Sequence, residues 1–167
     1  EKSDRFACIT RDDNAVRWKG QIKLTSDDTN EAVGQIIGTI ERMPEEERPH
    51  VLFVDRLGLG AGICDNLSTL ARSRNHQMRV VGVKASESAA RQDRYFNKRA
   101  EMWGEMRDWL IDGAALLDDD ELEADLTMPG FKFRNEAYLL ESKEQIAKRL
   151  GVSPDFGDGL SHTFYLP

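Results

Sequence analysis

The sequence predicts an α/β fold, a mixed sheet flanked by helices, in a single domain. Three observations carry that reading. The chain opens on two strand-like segments joined by a polar turn. Two short apolar runs further along alternate with segments of helical period. And 40% of the 167 residues are apolar, which is enough for one real core.

Taken in order, Arg5 to Thr10 reads as a strand, Asp12-Asp13-Asn14 as a turn, and Val16 to Leu24 as a second strand, together a β-hairpin. Ser26-Asp27-Asp28 offers N-caps to a helix that places Val33, Ile36, Ile37 and Ile40 on one face. Pro44 and Glu45-Glu46-Glu47 end it. Val51 to Val54 is apolar on both faces, as a buried central strand is. A glycine-rich turn leads into a helix from about Gly62 to Arg74. Arg79 to Val83 is the next strand. A long helix is predicted from Ala89 to Ile111, with Phe96, Trp103, Met106 and Leu110 facing one way, then a shorter acidic helix near Asp118. Met128 to Leu140 reads as a hairpin or irregular strands. Ser142 to Leu150 is a helix closed by Gly151, and Ser153-Pro154 begins the last one. Strands alternating with helices imply parallel pairing with crossovers, and the antiparallel hairpin ahead of them makes the sheet mixed.

Composition excludes several classes. The two cysteines, Cys8 and Cys64, form no C-x-x-C pair, so neither zinc nor a disulfide framework is indicated. No apolar run approaches a membrane span of about 18 residues and no signal-peptide pattern opens the chain, so a cytoplasmic domain without a membrane partner is expected. The net charge of −7 argues against a general DNA-coating protein. That charge is concentrated, however: eight acids and no Lys or Arg fall between residues 108 and 125. Between Lys84 and Arg107, six basic residues outnumber four acids, so a phosphate-facing surface is conceivable there.

Two acidic positions carry chemistry. Asp55 directly follows the apolar run Val51-Leu52-Phe53-Val54, at the carboxyl end of a parallel strand, where α/β folds bind ligands. A carboxylate kept ionised in such a crevice calls for a cation, and a hard divalent ion suits it. Gly58, Gly60 and Gly62 follow with a G-x-G-x-G spacing that misses the dinucleotide fingerprint; their plainer role is a tight turn and close helix packing. No G-x-x-x-x-G-K-[ST] phosphate loop is present. In the last helix Asp155 and Asp158 are three apart and share a face near a helix N-terminus, with Phe156, Leu160 and Phe164 opposite. Two glycines, Gly157 and Gly159, weaken that short helix by about 1 kcal/mol each, which implies that something approaches it closely. His162 lies on the side of Asp155 and Asp158 and would line the same cleft, although a surface histidine is the plainer reading.

These segments together resemble the nuclease domains of phage large terminase subunits, which have an RNase H-like fold. VDRLGLGAGICDNL is similar to their second acidic strand, glycine-rich turn and helix. YFNKRAEMWGEMRDWLIDG, with Lys98-Arg99-Ala100-Glu101-Met102-Trp103 as its signature, is similar to their long helix. LLESKEQIAKRLGVSPDFGDGLSHTF is similar to their C-terminal block. The resemblance runs from about Val51 to Phe164 and rests on all three blocks in order. It implies a metal-dependent endonuclease that cuts concatemeric viral DNA in the host cytoplasm, with the portal and the small terminase subunit as partners. It matches Asp55 and Asp158 to metal-binding acids, places Asp155 as a ligand or beside one, and implies two Mg²⁺ or Mn²⁺ ions. Lys143 then falls where it would contact phosphate or the ligand acids, and Lys98, Arg99 and Arg94 become candidate contacts to the DNA backbone.

Two features depart from the family pattern. Its members usually carry alanine where Gly157 or Gly159 stands. They also carry a further metal aspartate on a strand ahead of the one matching Arg5 to Thr10. The expectation is therefore a domain without that first strand and without the ATPase domain; Asp4, in the adjoining loop, is a poor substitute. Rival readings are another RNase H-like nuclease or resolvase, which lacks the Lys98 to Trp103 signature, and a catalytically incomplete module that docks a basic partner through residues 108 to 125.

Overall fold

The structure, a computed structural model, describes residues 5–23, 28–73 and 78–166. The chain divides into two compact units. One comprises Gln21–Lys84 with the chain start to Phe6, the other Ala7–Gly20 with Ala85–Pro167.

In the first unit, helix α1 (Thr29–Arg42) begins where the Asp28 carboxylate accepts the N–H of Asn30 at 2.8 Å. Ser26 and Asp27, the other candidate caps, lie outside the described residues. Ala32, Val33, Ile37 and Ile40 bury the apolar face of α1. The helix stops at Met43, held extended ahead of Pro44, and Glu45–Glu47 form one 3-10 turn. Strands β3 (Val51–Asp55) and β4 (Arg79–Val83) are parallel, with Val51 opposite Arg79 and Asp55 opposite Val83. Their crossover is helix α2 (Gly60–Ser73), which packs on both strands and on α1 through Ile63, Cys64, Leu67 and Ala71. The sequence predicts β3 as a central buried strand. Among the described residues it has β4 as its one partner, and its side chains are half-buried with Val51 exposed.

The second unit holds most of the hairpin made by β1 (Arg5–Arg11) and β2 (Val16–Lys23), turned by the Asp12 N–H to Ala15 carbonyl bond at 3.0 Å. Helix α3 (Lys98–Ile111) starts at Asn97, whose side chain accepts the Ala100 N–H. It does not begin at Ala89 as the periodicity suggests: residues 89–97 are a turn-rich segment held to other parts of the unit. Helix α4 (Asp120–Thr127) is capped by Asp119. Strands β5 (Phe131–Arg134) and β6 (Ala137–Leu140) are an antiparallel hairpin whose turn residues Asn135 and Glu136 both take positive φ. Helix α5 (Lys143–Leu150) carries a full capping box between Ser142 and Gln145 and ends on Gly151 in the left-handed region. Helix α6 (Asp155–His162) starts one residue later than predicted, with Pro154 outside it. Val16, Trp103, Met106, Leu122, Phe156 and Leu160 form the core that α3, α4, α6 and the hairpin share. Among the described residues the strands thus pair as three two-stranded ladders, parallel and antiparallel both represented. Both cysteines are free thiols, and burial pushes Cys8 up to about 11. No described helix is long and apolar enough to cross a membrane.

Candidate functional site

Asp55 ends β3 within the first unit. Its Oδ1 accepts the N–H of Leu57 at 3.0 Å, so the carboxylate itself shapes the turn into α2. The helix then returns against the strand end so closely that a Cβ at Gly60 would lie 1.9 Å from the Asp55 carbonyl oxygen. Only glycine fits there. The glycine run predicted to allow close helix packing does so at this residue.

In the second unit α6 presents Asp158 inward. Its side chain is 2% exposed, yet both carboxylate oxygens have partners. Oδ1 accepts from Arg99 Nε at 3.0 Å and from the Trp103 indole N–H at 2.8 Å; Oδ2 forms an ion pair with Lys143 Nζ at 3.2 Å. A buried carboxylate so compensated escapes most of the penalty of an isolated charge. Asp155, a turn earlier, is half-exposed. It accepts from Ser153 Oγ at 2.8 Å and lies 3.7 Å from the same Lys143 ammonium. Lys143 thus sits against both acids. Ser153, predicted to cap α6, bonds this carboxylate instead.

The cap of α6 comes from elsewhere. Asp125, at the end of α4, is buried, and its Oδ2 accepts the N–H groups of Phe156 at 2.8 Å and Gly157 at 3.3 Å. Burial pushes the Asp125 carboxyl above its ordinary range, and the two N–H bonds offset part of that rise. At Gly157 a Cβ would come 2.8 Å from the Trp103 ring and 3.1 Å from the Asp125 carbonyl. At Gly159 the nearest atom is Ile9 Cγ2 at 3.4 Å, an ordinary contact. The close approach implied by two helical glycines is therefore real at the first and unnecessary at the second.

The basic residues of the long helix are used inside the unit. Lys98 is 6% exposed; its ammonium bonds Glu101 at 2.8 Å and the Leu166 carbonyl at 3.1 Å. Arg99 holds Asp158 and also donates to the Glu141 carbonyl at 2.6 Å. Both residues face inward, which departs from the expected phosphate-facing surface: their charges are already spent on buried partners. Arg94, half-exposed, pairs with Asp108 at 3.1 Å. His162 is buried, not a surface histidine. Asp4 lies outside the described residues. The acidic stretch is partly internal too, since Lys19 bridges Asp119 and Glu121 at 2.6 and 2.7 Å and Asp125 caps α6. Among the described residues, no group of three His, Cys, Asp or Glu side chains is gathered closely enough to hold a metal ion.

This architecture is shared with solved structures of the large terminase subunit of bacterial virus Sf6. Its nuclease domain, as a lysine-to-alanine variant with manganese, superposes with a TM-score of 0.76 at 22% identity, covering 95% of this chain and 82% of that one. The nuclease domain without the substitution gives 0.75 at 20% identity over 95% and 81%. This chain has the fold of a terminase nuclease domain. The variant with calcium agrees, at TM-score 0.74 and 22% identity over 95% and 81%. No protein-family model and no curated protein matches the chain.

In this terminase nuclease fold the Lys98 to Trp103 signature acquires a physical meaning. Arg99 and Trp103 are four apart, one helical turn, and together hold Asp158. Lys98 and Glu101 are three apart and pair on another face, where Glu101 also accepts the N–H groups of Ala90 and Arg91 at 3.0 and 2.9 Å. Sequence reasoning assigned Trp103 to the core, missing its hydrogen bond, and missed Asp125 and Glu141 altogether. The spacing of Arg99 and Trp103 was the available signal; Asp125, 31 residues from its partner Phe156, offered none.

Proposed function

We propose that this chain is the nuclease domain of a viral DNA-packaging terminase, an endodeoxyribonuclease that uses divalent metal ions to cut concatemeric double-stranded DNA largely without sequence preference. The observation that carries the reading is a carboxylate, Asp158, fixed by Arg99 and Trp103 beside Asp155 and Lys143 within a fold of this kind. The proposed ligands are Asp55, Asp158 and Asp155. The donor chemistry fits: carboxylate oxygens are what Mg²⁺ and Mn²⁺ prefer, and two of these acids share one helix. Those ions, proposed as two, supply an activated water and neutralise charge on the phosphate.

The chain's own residues do the positioning. Arg99 and Trp103 fix the direction of Asp158. The Lys143 ammonium balances Asp155 and Asp158, and is placed to meet a phosphate oxygen entering beside them. Arg94 is the remaining candidate contact to the DNA backbone, reading no bases. The portal and small terminase subunit are proposed partners, and the host cytoplasm the proposed location.

The test is cleavage of supercoiled plasmid with Mn²⁺, Mg²⁺ or EDTA, wild type against Asp55→Asn and Asp158→Asn. Metal-dependent nicking lost in both variants supports the reading. Nicking that survives the double substitution overturns it.

A further inference from the structure

Glu141 lies just past β6, opposite Gly130, and closes the base of the hairpin with one bond diverted. Residues facing each other in a hydrogen-bonded antiparallel pair exchange both backbone bonds. The Glu141 N–H does donate to the Gly130 carbonyl, at 2.8 Å. The return bond goes elsewhere: the Gly130 N–H donates at 3.1 Å to Oε2 of the Glu141 side chain. The carboxylate thus stands in for the residue's own carbonyl. That carbonyl accepts Arg99 Nη1 instead, at 2.6 Å.

The carboxylate is clamped in that place. Arg149, in the last turn of α5, grips it with two nitrogens, Nε to Oε1 at 3.0 Å and Nη2 to Oε2 at 2.7 Å. Nη2 also donates to the Met128 carbonyl at 2.9 Å. Such a two-point arginine–carboxylate pair fixes direction as well as distance. Both Glu141 oxygens are occupied by donors, so what this acid offers the site is placement. Arg99 turns its other side to Asp158, Nε to Oδ1 at 3.0 Å and Nη2 to Oδ2 at 3.4 Å. Two residues after Glu141, Lys143 pairs with the same Oδ2 at 3.2 Å. Both cations on Asp158 are therefore referred to one short stretch of backbone, and the Glu141 side chain holds that stretch.

We propose that Glu141, clamped by Arg149, is a positioning residue for Asp158: by taking the Gly130 N–H onto its side chain it keeps its carbonyl for Arg99, which aims the acid. This rests on the nuclease reading for its role in catalysis, but the aim of Asp158 is measured without metal. The Trp103 indole N–H, on Asp158 Oδ1 at 2.8 Å, reports that aim directly. The Trp109 indole N–H, on the Asp13 carbonyl at 2.7 Å, is a control on the same helix. Both are read in ¹H–¹⁵N spectra of the whole chain in EDTA, the Trp103 signal being assigned by its loss in Trp103→Phe. In Glu141→Ala the Gly130 N–H is free to close on the carbonyl of residue 141, and the Trp103 signal is expected to move upfield while Trp109 stays. Glu141→Gln keeps an acceptor for Gly130 and is expected to remain near wild type. Arg149→Ala is expected to move the Trp103 signal in the same direction by less. Mn²⁺ affinity in calorimetry is expected to fall about tenfold or more in Glu141→Ala. A Trp103 signal unmoved in Glu141→Ala and Arg149→Ala overturns the proposal, and Arg149→Ala decides alone if thermal melting shows Glu141→Ala unfolded. Movement of both indole signals together, a Glu141→Gln effect as large as that of Glu141→Ala, or unchanged Mn²⁺ affinity despite a moved signal also overturns it. If the wild type neither binds Mn²⁺ nor nicks plasmid while the indole signals behave as expected, the nuclease reading falls and the positioning of Asp158 stands.

Discussion

The indole N–H of Trp103 donates to Oδ1 of Asp158 at 2.8 Å, and the same oxygen takes the Arg99 Nε at 3.0 Å. A core tryptophan and a buried acid are thereby one unit. Substituting Trp103→Phe keeps most of the ring and removes the donor, leaving a buried charge short of one bond. The expected loss is about 1–3 kcal/mol in urea unfolding. A variant as stable as wild type would show that the N–H contributes nothing.

Asp125 predicts a second contrast. Asp125→Ala strips two buried N–H groups of their acceptor and should cost about 1–2 kcal/mol. Asp125→Asn keeps an acceptor oxygen and removes a charge that burial disfavours, so it should cost clearly less. Equal losses in denaturant titrations would contradict the capping role.

The glycines of α6 predict opposite signs. Gly157→Ala meets the Trp103 ring and the Asp125 carbonyl and should destabilise. Gly159→Ala has room and gains helix propensity, so it should be neutral or stabilising by up to about 1 kcal/mol. Melting temperatures of the two single variants decide this.

Lys143 and a divalent cation compete for the same two carboxylates on the proposed reading. Removing the ammonium with Lys143→Ala should tighten Mn²⁺ binding, by no more than about tenfold given how exposed the lysine is. Titration calorimetry measures it, and weaker binding in this variant would contradict the competition.

Glu101 gives the domain an acid limit. Burial raises its pKa, but the Lys98 bond and the N–H groups of Ala90 and Arg91 outweigh that, and the net shift is downward from the ordinary 4.5. A depressed carboxylate stabilises above its unfolded pKa, and that stability drains away as pH falls through the lower folded value. Stability of wild type should therefore fall more steeply than that of Glu101→Gln below about pH 4.5. Parallel profiles of the two proteins would remove Glu101 from the acid response.

Local chemistry made much of this fold legible. Ser142-x-x-Gln145 and Gly151 bracket α5 in the sequence as they do in space, because caps act within one turn. The short runs at β3 and β4 were equally plain. The start of α3 was not, since helical periodicity continues back to Ala89 while tertiary bonds win there: Glu101 takes the N–H groups of Ala90 and Arg91, and Phe96 donates to the Tyr138 carbonyl at 2.9 Å. Asp158 enters the candidate set through its spacing from Asp155 and the family resemblance, and Lys143 through the resemblance; the bonds that Arg99 and Trp103 make to Asp158 were not legible. Arg99 turns inward to partners 42 and 59 residues away, and Lys98, besides Glu101 three residues on, to a carbonyl 68 residues away; a basic pair on a helix looks the same in sequence whichever way it faces.

Arg99 also ties two elements with one flat group. Its Nε grips the carboxylate on α6, and its Nη1 grips the Glu141 carbonyl just past β6. A guanidinium does not bend, so these anchors behave as the two ends of a short strut. A pull on the β5–β6 hairpin would be felt at Asp158 without passing through the hydrophobic interior, and stiffness of the hairpin's base and aim of the acid become a single mechanical property of the domain.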